Sequence, residues 1–142
     1  MFVWIIIIKQ LKMVQKPSEE KKVQQIGEES GMRQFKVLGS RFELPVKYDI
    51  IDPVGSGAYG VVVAAKDNTM EEENGNNLVA IKKIEKAFEH KVFTLRTLRE
   101  LKIMRLLNHE NVLSIKSILQ PKSLSDFNEL YVVSDLMETD LA

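Results

Sequence analysis

Three glycines at the first, third and sixth places of a hexad constrain the folding of this chain most strongly. They are Gly55, Gly57 and Gly60 in "GSGAYG", and the β-branched run "VVVAAK" follows directly. Glycine tolerates positive φ and lets the main chain approach a neighbour closely, which suits a tight turn. A run of valines favours a strand. The pattern therefore predicts a strand, a glycine-rich turn and a returning strand.

Glycine loops with this spacing hold phosphate groups in two kinds of protein, because main-chain N–H groups can reach an anion where no side chain intervenes. A dinucleotide-binding fold begins a helix after the third glycine and places an acidic residue about twenty positions further on. In this chain a strand-like run follows instead, and the corresponding position is Gly75. The loop is therefore predicted to lie across a ligand as a flap. A hairpin whose glycines only form its turn is the alternative.

Apolar periodicity divides the rest of the chain into short strands and one long helix. Alternating residues around "LGS" predict a hairpin. Further strands are predicted in "KYDIIDPV", "GVVVAAK", "LVAIKKI", "NVLSIKSIL" and "ELYVVSDL", and a helix in "VFTLRTLRELKIMRLLNH". This order predicts an α+β fold, with one major helix packed on an antiparallel sheet.

Residues 1–34 are predicted to form a mobile N-terminal extension, and residues 35–142 the folded domain. The stretch 14–33 is polar and charged, without a sustained apolar period. The apolar run from Phe2 to Ile8 is shorter than the about 20 residues of a membrane-spanning helix. It also lacks the flanking regions of a signal peptide. A buried strand, an interfacial anchor and a wrongly assigned start codon remain open for this run.

Composition argues against several functions. The 20 basic and 20 acidic residues give a formal net charge of zero, which does not favour nucleic acid or a membrane surface as partner. The chain has no cysteine, which excludes disulfides and thiol chemistry. His90 is interpreted as a surface residue and His109 as structural, since neither has a second histidine at metal-ligand spacing. No metal site is predicted.

Two charged residues occupy positions at which the pattern predicts a core. Strand alternation places Lys82 in an apolar row, and helical spacing does the same for Glu100. The apolar neighbours are Leu78, Ala80 and Ile84 in the strand and Phe93, Ile103, Met104 and Leu107 in the helix. A lone buried charge on either face would be costly. We therefore predict that helix packing brings Lys82 and Glu100 together, next to the glycine loop.

The motifs "GSGAYGVV", "VAIKK", "RTLRELKIM" and "NHENV", in this order, resemble the N-terminal lobe of a eukaryotic protein kinase. Together with "FEH" and "FNELYVVSDLMETDL", they are similar to mitogen-activated protein (MAP) kinases of the extracellular-signal-regulated and stress-activated branches. The resemblance covers residues 35–142. It implies a five-stranded antiparallel sheet with one major helix, and ATP binding in a cleft between two lobes.

The resemblance implies a role for each matching position. The glycine loop would cover the triphosphate, with Tyr59 at its tip. Lys82 would hold the α- and β-phosphates and Glu100 would orient it, which makes these two the candidate catalytic residues. The positions implied to bind ATP are Val54, Gly55, Ser56, Gly57, Ala58, Tyr59, Gly60, Val62, Ala80, Lys82, Ser134, Asp135, Met137 and Asp140.

The segment "SDLM" resembles the hinge of the family. The Asp135 carbonyl and the Met137 main chain would pair with the adenine edge, below an apolar ceiling. Ser134 stands where related branches carry Gln or Thr, and it would guard the pocket behind adenine. Asp140 would approach the ribose, or cap a helix instead.

Arg96 and Arg99 lie on the predicted helix beside Glu100. The resemblance suggests that they receive a phosphothreonine from the activation loop. Solvated surface charge is the alternative.

The catalytic aspartate, the metal ligands, the activation loop and the substrate groove follow the hinge in this family. The printed sequence ends just past it, at Ala142. We therefore expect a fragment or truncated gene model of an active serine/threonine kinase, inactive by itself and located in the cytoplasm or nucleus. Its cofactors would be ATP and a Mg²⁺ held by residues outside this chain, and its partners protein substrates and an upstream activating kinase. A short binding module that competes for kinase partners, and a nonfunctional remnant, are the alternatives.

Overall fold

The structure is a computed structural model that describes residues 23–58, 60–70, 77–125 and 127–137. Within these ranges the chain forms two antiparallel sheets and one helix. The strands are β1 (Val23–Glu29), β2 (Met32–Val37), β3 (Ser40–Pro45), β4 (Tyr48–Gly57), β5 (Gly60–Asp67), β6 (Leu78–Ile84), β7 (Ile115–Ile118) and β8 (Leu130–Asp135), and the helix is α1 (Lys91–Leu106).

The larger sheet, called the main sheet, has the strand order β4-β5-β6-β8-β7. All of its neighbouring strands are antiparallel. The predicted five-stranded sheet with one major helix is confirmed. Three elements are shorter than predicted: β7 has four residues and β8 six, and α1 ends at Leu106 because Leu107 adopts an extended conformation.

Strands β1, β2 and β3 form a second sheet, called the accessory sheet. The prediction of a mobile arm over residues 14–33 is wrong from Val23 onward, and the expected boundary between residues 34 and 35 lies inside β2. Strand β1 is exposed at most positions and is paired along its length with β2. An edge strand held by main-chain pairing needs no apolar alternation, which is why the sequence pattern did not show it. The run Phe2–Ile8 lies outside the described residues.

The core has two parts on opposite sides of the main sheet. Between the two sheets, Phe42, Leu44 and Ile81 are fully buried in one apolar cluster. On the other side, Ile84 and Val132 form a smaller cluster with side chains of α1. Alternate residues of β6 therefore face the accessory sheet and the helix.

The predicted inner face of the helix is partly wrong. Met104 is buried and Phe93 is partly buried, but Ile103 and Leu107 are exposed. The helix contacts the sheet through a narrow stripe that includes Thr97, and Leu107 already lies beyond its end. A narrow contact leaves residues at the margins of the predicted apolar face in solvent.

Candidate functional site

A cleft of about 800 Å³, including its part open to solvent, lies between the main sheet, α1 and the segment after β8. Its wall is mostly apolar. Eight of the residues singled out from the sequence line it: Val54, Val62, Ala80, Lys82, Glu100, Ser134, Asp135 and Met137. They come from β4, β5, β6, α1, β8 and the segment that follows, so the fold brings together residues that are far apart in the sequence.

Lys82 and Glu100 meet at the wall of this cleft. Lys82 lies in the middle of the main sheet, opposite Val62 on β5 and Val132 on β8. Its Nζ is 3.5 Å from Oε1 of Glu100, and the two side chains are 21% and 20% exposed. The predicted contact is therefore present. Partial burial reduces solvent screening, so the ammonium is held in place beside an apolar cavity.

The glycine loop is the predicted hairpin turn between β4 and β5. Gly57 pairs with Gly60 across the turn. Gly60 has φ +128°, and a Cβ atom there would lie 1.8 Å from the carbonyl oxygen of Lys83. Both the backbone conformation and the close approach require glycine at this position.

The loop residues are distributed over two surfaces. Gly55 is buried in β4. Ser56, Gly57, Ala58 and Gly60 border a second cavity, toward the β2–β3 turn and the start of α1, and do not line the cleft described above. Contact of these four residues with a nucleotide therefore stays a prediction. Tyr59 and Asp140 lie outside the described residues.

The segment from Ser134 to Met137 forms one side of the cleft. Ser134 is 8% exposed and pairs with Ala80 on β6 and Ile115 on β7. The Asp135 carboxylate accepts a hydrogen bond from Ser114 Oγ at 3.1 Å and contacts Lys116 Nζ at 3.0 Å. Side chains of β7 and of the residue just before it thus hold this carboxylate. The main chain of the segment is therefore the candidate partner for the polar edge of a flat ligand.

Sequence reasoning missed two residues near the site. Thr97 is buried on α1, one turn before Glu100, and lines the cleft. Lys83 is only 2% exposed and points to the opposite side of β6 from Lys82. The sequence did indicate that Lys83 is buried, because strand alternation places it in one row with Val79 and Ile81, which are buried.

Arg96 and Arg99 are exposed on α1. Their proposed contact with a phosphothreonine stays a prediction.

In the described part of the chain, no three histidine, aspartate or glutamate side chains lie together as a metal site would require. In the same ranges, no helix has the length and apolar composition needed to cross a membrane.

Comparison with known proteins gives consistent results. Residues 48–142 match the family described as "Protein kinase domain". The chain is 51% identical over 105 residues to Extracellular signal-regulated kinase 1 of Dictyostelium discoideum. It is 50% identical over 109 residues to Mitogen-activated protein kinase 5 of Arabidopsis thaliana, and 47% identical over 108 residues to Mitogen-activated protein kinase 6 of Oryza sativa subsp. japonica.

These three alignments cover 74%, 76% and 75% of this chain, but only 19%, 28% and 27% of the relatives. The chain thus spans between a fifth and somewhat more than a quarter of the length of these curated relatives.

Proposed function

Because the chain belongs to the protein kinase family, we propose that it forms the ATP-binding N-terminal lobe of a serine/threonine kinase of the MAP kinase type. The complete kinase would transfer the γ-phosphate of ATP to serine or threonine of protein substrates. The contact between Lys82 and Glu100 at the wall of an apolar cleft carries this proposal. An apolar cleft with one held ammonium suits a ligand that is flat and apolar at one end and anionic at the other.

The apolar part of the cleft suits adenine. Val54, Val62 and Ala80 form one wall, and the segment from Asp135 to Met137 forms another. In the proposed complex, the adenine ring lies between these walls, and the main chain of the second wall recognises its edge. The family resemblance supports this orientation.

Lys82 provides the positive charge for the phosphates. Phosphoryl transfer depends mainly on positioning and on neutralising charge. In the proposed complex, Lys82 Nζ donates hydrogen bonds to α- and β-phosphate oxygens, and the Glu100 carboxylate fixes the direction of the ammonium. Bound Mg²⁺ supplies further neutralising charge in kinases. In the part of the chain that the structure describes, no three acidic or histidine side chains cluster as ligands, and we place the Mg²⁺ ligands in the remainder of a complete kinase.

The proposed partners follow from the similarity to MAP kinases. They are a protein substrate and an upstream kinase that phosphorylates the activation loop. Arg96 and Arg99 would receive the resulting phosphothreonine. Localisation in the cytoplasm or nucleus is part of the same proposal.

ATP titration of the 142-residue chain tests the binding half of this function. NMR can follow the titration even when the affinity is weak. We expect saturable ATP binding that weakens by about tenfold in Lys82→Met. Lys36→Met is the matched control, since Lys36 is exposed on β2 of the accessory sheet and does not line the cleft. Equal ATP affinity of the wild type and Lys82→Met would contradict the proposal.

Transfer activity needs a second test. We expect no phosphate transfer above background by the 142 residues alone. Turnover by this chain that disappeared in Lys82→Met would contradict that expectation. Sequencing of the full transcript tests the fragment hypothesis: a reading frame that continues into "HRD" and "DFG" motifs supports the complete kinase, and a stop codon after Ala142 supports a short binding module or a nonfunctional remnant.

A further inference from the structure

Lys83 is a charged residue inside the core between the two sheets. Its side chain is only 3% exposed, and the neighbouring inward positions of β6 are Val79 and Ile81. An unpaired ammonium at such a position would cost several kcal/mol. Its partners therefore reveal what the side chain does in this fold.

Polar groups from three elements surround the Lys83 ammonium. Nζ contacts Glu129 Oε1 at 2.9 Å, just before β8, and Glu85 Oε1 at 3.3 Å, just after β6. On the accessory sheet, it donates a hydrogen bond to the Arg41 carbonyl and lies 3.5 Å from Ser40 Oγ. The Lys83 side chain thus joins β3 of the accessory sheet to residues that directly flank β6 and β8 of the main sheet.

A second chain of hydrogen bonds supports the same junction. The Glu43 amide of β3 donates to the Tyr131 hydroxyl at 3.1 Å, and this hydroxyl donates to Glu129 Oε2 at 3.3 Å. The Lys83 ammonium also lies 5.8 and 5.9 Å from the ring centroids of Phe42 and Tyr131, within cation–π range. Contacts on several sides therefore fix the position of the ammonium.

The main chain of Lys83 contacts the glycine loop. The Lys83 carbonyl oxygen lies where a Cβ atom of Gly60 would be, and Lys83 pairs with Val61, the next residue of β5. The preceding residue is Lys82, which points into the cleft. A displacement of β6 at Lys83 would therefore move both the turn of the glycine loop and the ammonium proposed to bind phosphate.

We propose that Lys83 is a positioning residue for phosphate binding. Its side chain fixes β6 to the accessory sheet, and this attachment holds Gly60 and Lys82 in place. This inference rests on the proposed function. It assigns the accessory sheet a role in ATP binding, although that sheet does not line the cleft. Lys83 acts only through its neighbours, because its own ammonium is enclosed on the far side of the main sheet.

A comparison of ATP with adenosine tests this role. Adenosine lacks the phosphates, so its affinity depends on the two walls proposed to hold adenine. The affinity for ATP also depends on Gly60 and Lys82. We expect Lys83→Met to weaken ATP binding to the 142-residue chain by about fivefold and adenosine binding by less than about twofold, both measured by NMR titration. Lys36→Met is the control, because Lys36 is exposed on β2, and both of its affinities should match the wild type.

The outcomes separate the two proposals. A wild-type chain that binds neither ligand would overturn the proposed function and this inference with it. A wild-type chain that binds both, with equal losses or no losses in Lys83→Met, would overturn the inference alone, because a merely structural residue affects both ligands alike. If Lys83→Met does not fold, the double variant Glu85→Gln, Glu129→Gln provides the test. A selective loss of ATP affinity supports the inference, and an unchanged ratio of ATP affinity to adenosine affinity overturns it.

Discussion

Lys82 and Lys83 are neighbours in β6, but the pleat sends their ammonium groups to opposite sides of the sheet. In the described part of the chain, Lys82 has Glu100 as its ion-pair partner, whereas Lys83 contacts two carboxylates and a main-chain carbonyl. An ammonium group has three N–H donors. Lys82 therefore keeps donors for a ligand in the cleft, and Lys83 uses its donors within the protein.

Lys82 and Glu100 should act as one unit in the complete kinase. Lys82→Met removes the proposed phosphate contact, and Glu100→Gln removes the charge proposed to direct it, so each should lower kcat/KM by orders of magnitude. Because both changes disrupt the same contact, the loss in the double variant should be clearly smaller than the sum of the single losses in free energy. Steady-state kinetics of the three variants measures this. Strict additivity would show that the two residues are not coupled.

Ser134 should leave space behind the proposed adenine position. Its short side chain lines the same cleft as Lys82 and Met104, whereas Leu107, which could have filled the space, is exposed. In the complete kinase, Ser134→Met should weaken ATP-competitive inhibitors with a bulky aromatic group aimed at this space by at least about tenfold, or about 1.4 kcal/mol. The Michaelis constant for ATP should change little. Equal inhibition of both forms would mean that the pocket is already closed, for which Met104 is the candidate.

Glu85 should contribute to acid sensitivity. The hydrogen bond from Ser40 and, after it, the Lys83 ammonium hold the pKa of Glu85 below its ordinary value of 4.5. A lowered folded-state pKa means that ionised Glu85 stabilises the fold above 4.5, and that this contribution is lost as the pH falls through the folded-state pKa. Ser40→Ala should therefore reduce the difference in Tm between about pH 6 and about pH 3. An unchanged difference would show that this hydrogen bond does not lower the pKa of Glu85 in the folded state.

Elements with local signals were predictable from the sequence. The β4–β5 hairpin follows from its glycines and valines, and β6 was predicted with its observed bounds, Leu78–Ile84. The contact between Lys82 and Glu100 was also predictable, because both residues interrupt apolar rows and charge requires a partner. Strand β1 was not predictable, since main-chain pairing at an exposed edge leaves no periodic pattern.

The hairpin also explains why its glycines differ in importance. At Gly60 the backbone has φ +128°, which residues with a Cβ atom rarely adopt, and a Cβ atom there would overlap the Lys83 carbonyl. A Cβ atom at Gly57 would meet no atom within 4 Å. Gly60→Ala should therefore lower the free energy of unfolding by about 2 kcal/mol or more, and Gly57→Ala by less than about 1 kcal/mol. Urea unfolding of the two variants measures this. Similar losses in both would contradict the assigned role of the close approach.

At the scale of the whole molecule, the two sheets enclose one core and α1 covers only part of the opposite face. The accessory sheet and its buried contacts at Lys83 depend on residues about 40 positions apart. No local pattern encodes such pairing, since alternation shows that a side chain points inward but not what it meets there. The cleft was therefore predictable through the family resemblance, and the junction behind it was not.

The outer face of α1 should make the 142-residue chain self-associate. Leu98 and Leu106 are 59% and 70% exposed, and Val92, Leu95 and Ile103 are also exposed along this helix. Contiguous exposed apolar residues favour association, because contact removes their surface from water.

Sedimentation velocity at several protein concentrations tests this. We expect the wild-type chain to form larger species as its concentration rises, and the double variant Leu98→Gln, Leu106→Gln to remain smaller, since glutamine keeps helix propensity while removing apolar surface. Leu124→Gln is the control, because Leu124 is 88% exposed but lies in the connection between β7 and β8, away from the helix. A monomeric wild type at all concentrations would contradict the prediction, and an equal effect of Leu124→Gln would show that general surface hydrophobicity, and not the helix face, drives association.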